Sequence, residues 1–282
     1  MMLHSLCVPA IPAFSASCSK TIKACTKASS PYQPLYLRFR TSHVENVRYL
    51  RTLGVIDPVS RHRKLPSPDT IDRVLNIVNF LKSKGFSESD FPRLAYLCPG
   101  LFASELDPTD IAPVFEFLTV EVSASAQESC SLINKCPQIL FSDVEYCLKP
   151  TLNYLRQLGI GRLNFPSTLN AHLLNTRVEK LHGKVKFLRS IGLTHQEIAR
   201  ICARLPSIFG YSIDNNLRPK YDYLVEDMER NLEELKKFPQ YFAFSLEKRI
   251  APRHLHLKRR NVKIPLNRML LWGDEKFYAK WK

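Results

Sequence analysis

The sequence predicts an all-α fold: a helical-repeat solenoid of roughly six units, each about 33–38 residues long. Three observations lead there. A helix-ending step recurs at Cys98-Pro99-Gly100-Leu101-Phe102, Cys136-Pro137-Gln138-Ile139-Leu140, Leu205-Pro206-Ser207-Ile208-Phe209 and Phe238-Pro239-Gln240-Tyr241-Phe242. A weaker copy, Asn170-Ala171-His172-Leu173-Leu174, has Ala in place of Pro, and the five points lie 38, 34, 35 and 33 residues apart. Second markers follow 12 to 14 residues later at Pro113, Pro150, Gly183, Pro219 and Pro252. Each is followed four and five residues on by Phe117-Leu118, Tyr154-Leu155, Phe187-Leu188, Tyr223-Leu224 or His256-Leu257. No stretch alternates apolar and polar residues as a half-buried strand would. A fixed period in this range means stacked units, which work through their surface.

Residues 1–44 read as an address: they hold Lys20, Lys23, Lys27, Arg38 and Arg40, ten Ser/Thr and no acid. That composition fits an organellar transit peptide, plastid in preference to mitochondrial, with a disordered basic tail as the competing reading. No stretch reaches the ~18 to 20 apolar residues that span a bilayer.

The array, residues 45–282 as a domain, begins near His43, because Tyr49-Leu50-Arg51-Thr52-Leu53-Gly54-Val55 matches Tyr154-Leu155-Arg156-Gln157-Leu158-Gly159-Ile160. A looser copy passes through Leu65-Pro66 and Phe80-Leu81. In the copy from Ala124 to Ile160, a first helix runs to Lys135 and stops because Pro137 cannot continue it and biases Cys136 away from helical angles. Ile139 to Phe141 make a tight bend. A second helix runs from about Val144 to Leu158, or starts near Lys149 with Pro150 in its first turn, where no donor is lost. Gly159 closes it, as Gly85 and Gly192 close their counterparts. Thr194-His195-Gln196-Glu197 is a capping box for a helix through Arg204. Arg218-Pro219-Lys220 is expected to open the next helix, and Asp222–Lys237 is read as one helical stretch.

Charge is uneven. The formal total is +15, yet residues 45–244 carry 25 bases against 23 acids, and the last 38 residues carry eleven bases against three acids. A basic end of this kind suits a polyanion. The eight cysteines form no C-x-x-C pair and have no spaced His partners; Cys98 and Cys136 occupy an otherwise mostly apolar repeat slot and read as small core residues.

Units built from a helix ended by x-Pro, then a second helix led by x-Pro and finished by Leu-Gly, resemble the mitochondrial transcription termination factor (mTERF) family. The last repeat, Phe238-Pro239-Gln240-Tyr241-Phe242 through Pro252-Arg253 to Leu257-Lys258, carries the resemblance best, with Leu271-Trp272-Gly273-Asp274-Glu275-Lys276-Phe277 beside it. The resemblance implies a superhelix of three-helix units with a basic concave groove for nucleic acid. It implies work in organellar gene expression: termination, transcript accumulation, splicing or ribosomal RNA maturation. Ala171 and Gly183 depart from the pattern and put the central repeat's geometry in question.

Two sets of bases are candidate nucleic-acid contacts. Lys149, Arg218, Lys220, Arg249 and Arg253 lie beside the second-marker prolines, where phosphates at helix N-termini would form a ladder. The C-terminal set is Lys248, Arg249, Arg253, Lys258, Arg259, Arg260, Lys263 and Arg268, in a stretch, 245–273, whose sole acid is Glu247. Arg249 and Arg253 share a helix face, and Arg260 extends it if the helix continues. The competing reading for all of them is solvated, snorkelling side chains. His254 and His256 have no third ligand nearby, so no metal is expected. No phosphate loop, nucleophile elbow or zinc-protease motif is present, and the expectation is a monomeric binding protein with no catalysis and no cofactor. The partner expected is double-stranded DNA or RNA, with organellar transcription, splicing or ribosomal proteins as possible companions. A protein adaptor docking on an organellar ribosome or polymerase complex is the alternative.

Overall fold

The structure, a computed structural model, describes residues 42–56, 67–102 and 105–282. The transit-peptide reading up to residue 41, Leu65-Pro66 and the cysteines at 7, 18 and 25 lie outside the described residues, and residues 42–44 of that reading belong to the first helix and its cap. Among those described there is no strand, and the chain is the all-α helical repeat that its period predicts.

Two long helices, His43–Thr52 and Pro68–Ser83, lead into five complete units. Each of these pairs a first helix with a longer second one: Phe91–Leu97, Ala126–Lys135, Thr168–Leu174, His195–Arg204 and Leu232–Lys237 are the first helices. Their starts are locally encoded. Ser125 and Glu128, and Thr194 and Glu197, form reciprocal capping boxes that satisfy the free backbone donors of the first turn. After four of these helices the marker proline opens a 3-10 turn, at Pro99–Phe102, Pro137–Phe141, Pro206–Gly210 and Pro239–Ala243. In the central unit Ala171 has an N–H to give, and it donates to the Ser167 carbonyl at 3.1 Å, so the helix runs on through the register where the others break.

The second helices begin earlier than the prolines suggest. A wide π turn occupies Val144–Leu148, Ile213–Leu217 and Leu246–Ile250, directly ahead of Lys149-Pro150, Arg218-Pro219 and Ala251-Pro252. Its hydrogen bonds reach back five residues: Leu148, Leu217 and Ile250 donate to the carbonyls of Asp143, Ser212 and Ser245, each at 3.0 Å. A proline lacks the N–H for the usual bond and its ring presses on the carbonyl four residues back; widening the preceding turn relieves that clash. The helices therefore start at caps Asp143, Ser212 and Ser245, about two turns upstream of the prolines. Where Gly183 replaces proline, the helix Val178–Ser190 is regular throughout.

Leu50 and Leu81 on the two leading helices and Leu118, Leu155, Leu188, Leu224 and Leu257, one per second helix, are all buried and form the spine of the core. Each of these helices closes with a residue at positive φ: Gly54, Gly85, Ser123, Gly159, Gly192, Glu229 and Asn261. Glu229 corrects the expectation of one helical stretch over 222–237: the chain leaves the helix after Asp227 and starts a new one at Leu232, with no glycine to signal the break. Two short helices, Leu266–Leu271 and Asp274–Lys280, follow the last unit. No described helix is long and apolar enough to cross a membrane.

Candidate nucleic-acid interface

The upstream helix starts undo the ladder of bases at helix N-termini. The true first turns carry Glu145, Asp214 and Glu247, and the caps Asp143, Ser212 and Ser245 each take one N–H there, those of Tyr146, Asn215 and Lys248. Lys149 pairs with Glu145 across one turn, which raises its pKa, and faces a cleft also lined by Asp110, Glu116, Glu121 and Asp143. Arg218 is exposed, its guanidinium 5.4 Å from the Phe187 ring centroid.

Lys220 and Arg253 are corrected outright, since both are buried. The residue after the second marker faces the next unit and donates to its backbone. Thr151 Oγ1 reaches the Thr176 carbonyl at 2.8 Å, Lys220 Nζ the Phe242 carbonyl at 2.7 Å, and Arg253 Nη1 the Met269 carbonyl at 2.6 Å. Lys220 also donates to Asn216 Oδ1 at 2.8 Å, and burial lowers its pKa. These are clamps between units with no surface left for a phosphate. Arg249 is half-buried: its Nη2 donates to the Trp272 carbonyl at 3.3 Å and stands 3.8 Å from Asp274.

The rest of the C-terminal set is on the surface. Lys248, Lys258, Arg259, Arg260, Lys263 and Arg268 are all exposed. The helix Ala251–Lys258 ends there, and Asn261 at φ +53 turns the chain so that the Val262 N–H caps the Leu257 carbonyl at 3.0 Å. Arg260 thus lies beyond the helix and does not extend the Arg253 face; its Nη1 is 3.3 Å from both the His256 carbonyl and Nδ1. Cations at a helix C-terminus complement its partial negative charge, which gives this placement a local reason. Lys258, Arg259, Lys263 and Arg268 enter no ion pair in the described structure. Lys258 and Lys263 line one pocket, together with Asp227 and Glu229.

Lys237 stands two residues before Pro239, the register of Lys135 before Pro137 and Arg204 before Pro206, and Lys263 repeats it before Pro265. The recurrence was there to be counted. The histidines pack: His254 Nδ1 is 2.9 Å from Tyr223 Oη, and the His256 ring lies against Phe277 and Tyr278.

The family model for mTERF matches residues 14–167 and again residues 125–278, so it covers nearly all of this repeat array. The chain belongs to the mTERF family. Among curated mTERF relatives, "Transcription termination factor MTERF2, chloroplastic" of Arabidopsis thaliana is 39% identical over 98 residues, 35% of this chain and 15% of that protein. "Transcription termination factor MTERF8, chloroplastic", also of Arabidopsis thaliana, is 26% identical over 242 residues, 83% of this chain and 48% of that protein. A mitochondrial relative, "Transcription termination factor MTEF18, mitochondrial", is 29% identical over 102 residues, 36% of this chain and 18% of that protein. This mTERF chain spans about half or less of the length of these relatives.

Proposed function

We propose that this mTERF protein binds nucleic acid in an organelle and regulates gene expression there, through the exposed bases of its last repeat. The observation that carries the reading is that Lys258, Arg259, Lys263 and Arg268 of the last repeat and its C-terminal flank are exposed and enter no ion pair among the described residues, as is true of Lys248 and Arg260. Phosphate binding releases condensed counterions, and a set of bases of this size neutralises about four to six phosphates. The relatives' names support the rest: they are transcription termination factors, those above being chloroplastic in two cases and mitochondrial in one. The chloroplast is the compartment we assign, and termination, transcript accumulation, splicing or ribosomal RNA maturation are the processes this binding serves.

Fluorescence anisotropy of the full chain with duplex DNA, single-stranded RNA and structured RNA across a salt series tests it. Affinity for duplex DNA is expected to fall with log salt at a slope of about −4 to −5. A variant combining Lys258→Glu, Arg259→Glu and Arg268→Glu loses binding. A complex indifferent to salt, or one untouched by the triple variant, refutes the reading.

A further inference from the structure

Between the helix Leu232–Lys237 and the stretch 263–271 lies an open cleft of about 760 Å³. Its walls are aliphatic. Ile264 and Leu266 are buried behind it, while Pro265 is exposed and Leu271 leaves 60% of its surface in solvent. Its rim is basic, and the bases hold one register of the repeat: Arg204, Lys237 and Lys263 each stand two residues before a proline. Glu234, the carboxylate in the lining, is taken by Arg230. Lys237 and Lys263 have no partner. Arg204 donates to the carbonyls of Lys236 and Lys237 at 3.1 and 2.9 Å, which pins its guanidinium at the rim with N–H groups to spare.

Gln240 lines the same cleft, and its Oε1 is buried with no hydrogen-bond partner. A buried acceptor left unpaired is costly, so it marks a place where an incoming N–H belongs.

We propose that this cleft docks a short acidic–aliphatic peptide segment of a partner protein. A leucine-like side chain packs on Pro265 and Leu271, carboxylates meet Lys237, Lys263 and Arg204, and a peptide N–H satisfies Gln240. A nucleotide fits the rim but not the walls. Sequence-tolerant base binding relies on exposed aromatic faces, and the aromatic ring in this lining, Phe238, is buried and stacked on Phe244 with centroids 6.3 Å apart. The cleft shares Lys263 with the nucleic-acid surface, whose Lys258, Arg259 and Arg268 lie outside it, so the variants that separate the two sites leave Lys263 in place.

A displayed library of short random peptides, selected against the full chain and against Leu271→Asp and Lys237→Glu variants, decides the matter. Both substituted side chains are exposed, and circular dichroism checks that the variants remain folded. The expected outcome is enrichment of peptides that combine Asp or Glu with Leu, Ile or Val. The synthesised winner binds the full chain and loses about tenfold or more in either variant, while the salt slope for duplex DNA stays unchanged. No enrichment over the variants, or enriched peptides without acidic–aliphatic character, overturns the proposal. So does a result in which the variants weaken oligonucleotide binding and select no peptide, which assigns the cleft to nucleic acid.

Discussion

Arg253 holds Asp274 across the end of the array: Nη2 donates to Asp274 Oδ1, Nη1 donates to the Met269 carbonyl, and the guanidinium sits 4.5 Å from the Phe277 ring centroid. One buried side chain thus joins the last complete unit to both terminal helices. Its charge, which in the sequence looks like a phosphate contact, is spent inside the protein.

Arg253→Ala is therefore expected to act on stability. It strands the Met269 carbonyl and empties a large volume against Phe277, a loss of about 2–4 kcal/mol, read as a lower denaturant midpoint. Arg253→Lys keeps the charge but not the two-pronged geometry and recovers only part of it. At temperatures where the variants stay folded, the salt slope of nucleic-acid binding is unchanged; a slope reduced by about one unit restores Arg253 to the interface.

Asp274 makes the same contact pH-dependent. Its hydrogen bond from Arg253, with the nearby charge of Arg249, lowers its pKa below the ordinary carboxylate value. A carboxyl with a depressed folded pKa contributes stability above the unfolded value, about 3.9, and loses it as pH falls through the folded one. The loosening is expected below about pH 4. The chain's two tryptophans, Trp272 and Trp281, flank the helix that Asp274 begins, so intrinsic fluorescence reports this region selectively. In Asp274→Asn that component of the acid transition disappears; an identical acid titration in the variant excludes the latch.

The fold was legible because its signals are local. Marker prolines, the Thr194–Glu197 box and the closing glycines Gly85, Gly159 and Gly192 each specify backbone conformation by their own chemistry. The candidate site was only half legible. The start near Val144 was legible and is where the helix begins, but the alternative of starts at Pro150, Pro219 and Pro252 put the neighbouring bases at free N-termini, whereas π turns from Asp143, Ser212 and Ser245 had already begun those helices. Those caps were present in the sequence, but a serine or aspartate ahead of a proline does not announce a wide turn. The burial of Lys220 and Arg253 was invisible for another reason: it is imposed by carbonyls of the next unit, Phe242 and Met269, which no local pattern brings near.

The central unit offers a clean test of what the marker proline does. Gly183 lies mid-helix in Val178–Ser190, and a Cβ there meets nothing within 4 Å. Gly183→Ala is expected to stabilise by about 0.5–1 kcal/mol, since alanine gains the helix without steric cost. Gly183→Pro imposes the family marker on a helix that lacks the upstream wide turn, and it costs about 3 kcal/mol. Chemical denaturation of both variants measures the pair. A neutral Gly183→Pro would mean that the helix takes a proline as Pro108–Glu116 takes Pro113, with no π turn ahead of it.

The helix closures predict opposite signs at equivalent places. Gly159 sits at φ +72, where a side chain is disfavoured, and a Cβ added there would be 3.8 Å from the Ala203 Cβ, an ordinary contact. Gly159→Ala therefore costs only backbone strain, about 1–2 kcal/mol. Glu229 occupies the same structural role at φ +50 while carrying a side chain. Glu229→Gly releases that strain, offset in part by the greater freedom glycine has in the unfolded chain, and the net is a gain of about 0.5–1 kcal/mol. Thermal unfolding of the two variants under one set of conditions gives both signs at once. If Glu229→Gly destabilises instead, the Glu229 side chain holds the turn after Asp227 by its own contacts, and the left-handed geometry there is stabilised by more than the backbone.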